Sequence, residues 1–279
     1  MTEIKHLPGS CSLHDIIQVI DDEGAAIVDD FVSQSWLDEF NAALEPHIEA
    51  YAPLDYGDDY ANEFYGRHTV RMTGLINKSP NYIDLMTDER LLGVMDHFLG
   101  PNGGQYQLSS GEIIETRPGE TAQDLHLDDI LWPVNSWMPE KMLQFNSFVA
   151  ATDFTETNGA THIVPYSHKW EPGRTAKPEE VARATMRARS IVLVPGKTLH
   201  AGGANTGQSA RRAIVTSYAL GWLKTYENHF LHYSVEEARQ WPEKVRQLLG
   251  YDLYRHAEEN LSGGPLGFYE YKSPKVLFE

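Results

Sequence analysis

The sequence predicts a mainly β protein with flanking helices, its strands closing into an antiparallel barrel or cupin-like jelly roll. Three observations lead there. Between about residues 105 and 225 the chain breaks into short segments rich in β-formers, each bounded by Gly, Pro, Asn or Asp. No helical segments alternate with them, which argues against a parallel α/β sheet. Apolar residues at helical spacing occur only before and after this stretch.

Taken in order, "SLHDIIQVIDDEG" reads as a first helix, with Ser12 as its cap, Ile16, Ile17 and Ile20 on one face, and Gly24 as its stop. "AAIVDDFV" reads as a short strand. "SQSWLDEFNAALEPHIEAY" returns to helical period through Trp36, Phe40, Ala43 and Leu44, and residues 80–99 read as one further helix burying Leu85, Leu91, Leu92, Met95 and Phe98. The expected strands are "QYQLSSGEIIETRPGE", "MLQFNSFVAATDF", "THIVPYSH", "RSIVLVPG" and "RRAIVTSYALGWL"; "SVEEARQWPEKVRQLLGYD" is helical again. No repeat, low-complexity tract or long linker divides the chain. One domain is expected over 1–279: a helical part to about 100, a core over 105–225 and a helical part over 226–279.

Composition narrows the partners. Of 279 residues, 40 are acidic and 23 basic, a net charge of −17, which disfavours nucleic acid and anionic membranes as partners. Cys11 is the only cysteine, so a Cys-rich zinc or iron–sulfur site is excluded and a reducing, cytoplasmic setting is the simplest expectation. No run approaches the roughly 20 apolar residues of a membrane helix, and "MTEIKHLPGSCSLHD" does not read as a secretory signal.

The candidate chemistry begins at "LHLDDILWP". In an extended segment His126 and Asp128 project the same way, giving two ligands on one face. A third must come from elsewhere, and "LHAGGAN" offers His200 directly after a strand, with Gly202 and Gly203 letting the backbone pass close by. Two histidines and one carboxylate form the facial triad of non-haem Fe(II) oxygenases, which leaves three positions open. Zinc accepts the same set, so a hydrolase stays possible, as does a binding jelly roll without oxygenase activity. Arg211 tips the balance. By alternation it shares a face with Ala213, Val215, Ser217, Ala219 and Gly221, a small-residue face suited to a lumen, while Arg212, Ile214, Thr216, Tyr218, Leu220 and Trp222 face covering helices. An arginine in a lumen is costly unless it meets an anion, and a guanidinium grips a carboxylate with two hydrogen bonds.

"AQDLHLDD", "NGATHIVPYSHKW", "PGKTLHAGGAN" and "RRAIVTSYALGWL", in this order and spacing, resemble the phytanoyl-CoA dioxygenase family of Fe(II)/2-oxoglutarate-dependent oxygenases, over about residues 15–250. Members acting on natural products are the most similar, through "AQ-x-LH-x-DD" and the late "GWLKTYEN". The resemblance implies a double-stranded β-helix, with His126, Asp128 and His200 on iron and Arg211 on the distal carboxylate of 2-oxoglutarate. It also implies Gln123 and Thr161 beside that cosubstrate, and Met72, Leu127 and Asp129 at the substrate. Tyr166 stands where relatives have glycine ("VPYSH" for "VPGSH"), which alters a turn and touches no proposed ligand. Because related halogenases lack the carboxylate ligand, Asp128 points to oxidation rather than halogenation.

The implied cofactors are Fe(II), 2-oxoglutarate and O2. The expected partner is a small, largely apolar natural product of secondary metabolism, with hydroxylation, desaturation, epoxidation or rearrangement as outcomes. An acyl-CoA of primary metabolism is the alternative, for which Arg183, Arg187 and Arg189 form the only basic cluster. The aromatic tail "GFYEYKSPKVLFE" suggests a homodimer interface. Among rival residues, His168 is expected to hydrogen-bond within the wall, His162 to lie in a strand, and His229 and His232 to sit at the surface or an interface. Gln144 and Asn146 share one strand face, either in the lumen or as members of a satisfied buried network.

Overall fold

The computed structural model describes residues 2–255 and 265–279, so the expected C-terminal part, 226–279, lies partly outside the described residues. Among the described residues ten strands run in chain order: β1 (His6–Leu7), β2 (Ala26–Val28), β3 (Thr69–Met72), β4 (Tyr106–Thr116), β5 (Gln144–Ala150), β6 (His162–Ile163), β7 (Ala182–Arg183), β8 (Ile191–Pro195), β9 (His200–Ala201) and β10 (Arg211–Leu220). A seven-stranded sheet has the order β1-β2-β8-β5-β10-β4-β3, antiparallel except for β1 and β2, and a three-stranded sheet has the order β7-β6-β9. The two sheets face each other in the jelly-roll manner.

Strand alternation divides the core. Phe148, Val192, Val194 and Val215 of the large sheet meet Ile163 and Ala182 of the small one. The opposite residues, Phe145, Val149, Ile191, Ile214 and Tyr218, pack beneath helices through Ile16, Phe40, Leu91 and Met95. Burying both faces of β5, β8 and β10 explains why these strands read as almost continuous apolar runs.

The helices before the core are α1 (Leu13–Glu23), α2 (Gln34–Glu49), α3 (Asp59–Tyr65), α4 (Leu75–Lys78), α5 (Tyr82–Met86), α6 (Glu89–Phe98) and α7 (Gly100–Gly103); α8 (His229–His232), α9 (Val235–Ala238) and α10 (Glu243–Leu248) follow it. Ser12 caps α1 and exchanges bonds with Asp15, and Gly24 ends it at φ 81°. The single helix expected over 80–99 is two. Asp88 accepts from the N–H groups of Arg90 and Leu91, starting α6 afresh after α5. Pro242 likewise splits the last helical stretch by standing at the start of α10. The N-terminal third also contributes β1 and β3, beyond the one short strand expected there. No helix among the described residues is long and apolar enough to cross a membrane.

One irregularity shapes the interior. Ser217 of β10 pairs with Ser110 of β4, but Tyr218 pairs with Leu108, so Ser109 is an extra residue in β4. Above this bulge Ser110, Glu112, Ile114 and Thr116 face the space between the sheets; below it Tyr106 and Leu108 face the helices.

Candidate metal centre

His126 and His200 are direct cross-strand partners. His126 N donates to the His200 carbonyl at 2.9 Å and His200 N donates to the His126 carbonyl at 3.1 Å, so the segment at His126, before the Asp128–Leu131 turn, extends the small sheet at β9. The expected extended run ends at Leu127, because a 3₁₀ turn begins at Asp128. That turn still returns the carboxylate to the two rings. Asp128 Oδ1 lies 3.6 Å from His126 Nε2, and Oδ2 lies 3.4 Å from His200 Nε2.

These residues fit a metal ion. Their ligand atoms all lie within 4.8 Å of one another; atoms each about 2.1 Å from one ion lie roughly 3–3.5 Å apart. Each imidazole is also oriented for the task. Nδ1 of His126 donates to the Asp124 carbonyl at 2.8 Å, and Nδ1 of His200 donates to the Thr198 carbonyl at 3.0 Å, which places the proton there and leaves each Nε2 lone pair free. Burial raises the Asp128 carboxyl, but the His200 ring, the His126 ring and the Asn146 amide outweigh it and bring it to about 2. The carboxylate is therefore ionised at neutral pH. Burial lowers the pKa of His126, aided by His200, which favours the neutral ring a metal needs.

Arg211 begins β10 and is 3% exposed. Its Nη2 donates to Thr161 Oγ1 at 2.6 Å, and its guanidinium lies 4.3 Å from the centre of the Phe154 ring. Nε has no partner, and no carboxylate pairs with Arg211 among the described residues. Burial, with a smaller contribution from Arg71, pulls its pKa down to about 9. A buried cation lacking a counter-ion is costly. The donor set suits one carboxylate of a diacid whose other end reaches the metal.

A cavity of about 450 Å³ joins the triad to Arg211. Gln123 and Thr161 both line it, and Gln123 is fixed there, accepting from Gly202 N at 2.7 Å and donating to the Phe64 carbonyl at 2.8 Å. Gly203 lets the segment after β9 run against Ala160, whose carbonyl oxygen would lie 2.4 Å from an added Cβ. Leu127 also lines the cavity. Met72 and Asp129 do not. Met72 packs toward the helices, and the residue of β3 that faces the cavity is Arg71. Asp129 is fully buried and ties the turn to β5, accepting from Leu143 N at 3.1 Å and Gln144 N at 2.9 Å.

Arg71 and Glu112 are the site residues that sequence reasoning missed. Arg71 Nη1 approaches Glu112 Oε2 at 3.5 Å, and burial raises the Glu112 carboxyl despite this neighbour. A charge inside the β-forming run "GEIIET", in phase with Thr116, was the available signal. The remaining walls are mainly apolar and aromatic, with Phe64 and Tyr65 inside and Tyr60, Ile130, Leu131 and Tyr226 exposed at the mouth, and Glu63, Thr69, Glu120 and Thr121 add polar groups.

The rival histidines stand elsewhere. His168 meets the Asp21 carbonyl at 3.2 Å, and His162 lies on β6 opposite Ala201. His229 is 2% exposed, not a surface residue: its Nε2 bonds the Leu108 carbonyl, and with His232 it flanks the buried Glu227 at 3.8 and 3.5 Å. Tyr166 does occupy a left-handed turn, at φ 67°. Of the three arginines considered for a CoA phosphate, Arg183 pairs with Glu156 and Arg189 with Asp30.

The family described as phytanoyl-CoA dioxygenase (PhyH) matches residues 20–213. Dioxygenase FUM3 of Gibberella moniliformis is 28% identical over 262 residues, 90% of this chain and 86% of that one. Dioxygenase olcK of Penicillium canescens is 32% identical over 227 residues, 78% of this chain and 74% of that one. The fold is shared with the epimerase SnoN, solved in complex with Fe3+, α-ketoglutarate and nogalamycin RO, at a TM-score of 0.59 and 17% identity, covering 74% of this chain and 83% of that one.

Proposed function

The chain belongs to the phytanoyl-CoA dioxygenase family, and from that premise we propose that it oxidises a small, largely apolar natural product in the biosynthesis of a secondary metabolite. It is an iron- and 2-oxoglutarate-dependent dioxygenase. In this reading His126, Asp128 and His200 hold Fe(II), while Arg211 and Thr161 hold the distal carboxylate of 2-oxoglutarate and Gln123 supports the wall beside it. When bound, iron with 2-oxoglutarate and O2 supplies the oxidising equivalent. The protein's own part is placement: it orients the ligands, fixes the diacid and surrounds the substrate with aromatic walls that exclude water.

The observation that carries this reading is the buried, uncompensated Arg211 beside the triad. A zinc hydrolase or a simple binding module gives that cation no purpose. The cavity also bears on substrate class. Its apolar and aromatic lining, with exposed Ile130 and Leu131 at the mouth, suits an apolar skeleton, and the Arg71–Glu112 pair can receive one polar substituent. Hydroxylation, desaturation, epoxidation and rearrangement are all compatible with such a pocket.

Anaerobic titration of the apoprotein with Fe(II) and 2-oxoglutarate tests the reading. A visible charge-transfer band that requires both additions, weakens in Arg211→Ala and vanishes in His200→Ala is the expected result. A folded, metal-loaded protein that gives no band overturns it. The same reading includes a cytoplasmic setting and a homodimer in which exposed Phe268, Tyr269 and Tyr271 contribute to the interface; mass measurement of a tail-truncated variant, expected to be monomeric, checks the latter.

A further inference from the structure

Asn146 touches the candidate metal centre from behind. It is 1% exposed on β5, and its Nδ2 donates to Asp128 Oδ2 at 2.7 Å. Its Oδ1 accepts from two donors, Ser217 Oγ at 2.7 Å and Gln144 Nε2 at 2.9 Å. The polarity of this chain is forced. An ionised carboxylate only accepts, so Asn146 must turn its NH₂ toward Asp128, and its carbonyl must then meet the hydroxyl and the second amide. Gln144 is committed in turn: with its NH₂ on Asn146, its Oε1 is buried with no partner. A flip of Gln144 would set two carbonyl oxygens against each other and leave its NH₂ in the place without a partner. The protein thus tolerates one orphaned acceptor to keep the donor on Asp128 in place.

We infer that Asn146 is a positioning residue that holds Asp128 as a one-oxygen metal ligand. The inference rests on the metal site proposed above. Oδ2 accepts from the amide and lies 3.4 Å from His200 Nε2, while Oδ1 accepts no hydrogen bond among the described residues and lies 3.6 Å from His126 Nε2. A carboxylate free to rotate can offer a metal both oxygens. The second oxygen would occupy one of the three positions that the facial triad leaves for cosubstrate and oxygen. Asn146 blocks that outcome by fixing the rotation of the carboxylate, and Ser217 and Gln144 fix Asn146.

The test is anaerobic titration of the full-length apoprotein with Co(II), whose d–d spectrum reports ligand number and geometry, in wild type, Asn146→Leu, Asn146→Ala and Ser217→Ala. Leucine matches asparagine in size and carries no donor, so a packing role predicts wild-type behaviour for it. The positioning role predicts a 10- to 100-fold loss of Co(II) affinity in both Asn146 variants, with an altered spectrum, and a loss of a few-fold in Ser217→Ala. Thermal unfolding is followed beside it; if the Asn146 variants do not fold, Ser217→Ala, which loses only the outer bond, decides. Affinity within twofold of wild type and an unchanged spectrum in the folded variants overturn the inference alone. Failure of wild type to bind Co(II), or binding that survives His200→Ala, overturns the underlying metal site instead.

Discussion

Arg211 and Thr161 join the two sides of the barrel: the guanidinium at the start of β10 donates to the hydroxyl just before β6 at 2.6 Å, and its Nε still lacks an acceptor. This arrangement is half of a binding site. Removing the guanidinium should cost 2-oxoglutarate about 3 kcal/mol, on the order of a hundredfold in Kd, since two charge-assisted hydrogen bonds are lost. Arg211→Ala measured by calorimetry with metal-loaded protein checks this. An affinity within threefold of wild type would remove Arg211 from the site.

Metal removal should leave the fold standing. The ring nitrogens away from the metal and the second oxygen of Asp128 are all satisfied by protein groups, so the site is scaffolded without an ion. Treatment with a chelator is expected to abolish turnover, retain the far-UV circular dichroism spectrum and lower Tm by only a few degrees, the loss of ligand-linked stabilisation. Loss of the folded spectrum would contradict a pre-formed site.

Glu227 should make stability depend on pH. Burial raises its carboxyl, but the His229 ring and the N–H groups of Gly111 and Gly74 outweigh burial and hold it below its ordinary value of 4.5. A carboxyl depressed in the folded state contributes stability that is full above its unfolded pKa and is lost as pH falls through the folded one. Glu227→Gln should therefore lower stability by about 1–3 kcal/mol at pH 7, and the gap should close below about pH 4.5. Urea unfolding from pH 7 to 3 checks this; a constant gap across that range would show that charge plays no part.

Asp129 should matter for stability, not for substrate choice. Asp129→Ala strands the N–H groups of Leu143 and Gln144 in the interior, at a cost of about 2–4 kcal/mol. Gly196→Ala should have a similar effect, because the new Cβ would lie 2.2 Å from Asp129 Oδ1 and 2.8 Å from the Gln144 carbonyl. Chemical denaturation measures both. A change in product profile without a loss of stability would return Asp129 to the pocket.

The triad and Arg211 were legible because each breaks its surroundings: ionisable groups in apolar strands need a partner, and strand parity says which way they point. Parity also separated the two faces of β10, with Arg211, Val215 and Ser217 toward the cavity and Ile214 and Tyr218 toward the helices. The pocket was less legible. Met72 was favoured over Arg71 because apolar residues suit an apolar substrate, yet the parity of β3 depends on its pairing with β4, and that pairing is long-range. Asp129 shares the motif of Asp128, and only the 3₁₀ turn reveals that the two carboxylates point apart. The role of Asn146 was visible as one of two equal alternatives, and its contact with Asp128 required the packed sheet.

The extra residue at Ser109 means that the depth of the chamber is a matter of counting rather than of side-chain size. By absorbing one position as a bulge, β4 keeps Leu108 opposite Tyr218, on the helix side, and makes Ser110 the last of its residues to enter the chamber. Were Ser109 instead taken into regular pairing, Leu108 would fall opposite Ala219 and, with Tyr106, turn inward, shortening the chamber from its floor while His126, Asp128, His200 and Arg211 stayed untouched on other strands. The floor of the chamber is thus set by how β4 pairs with β10, through a residue that lines neither the triad nor the cavity.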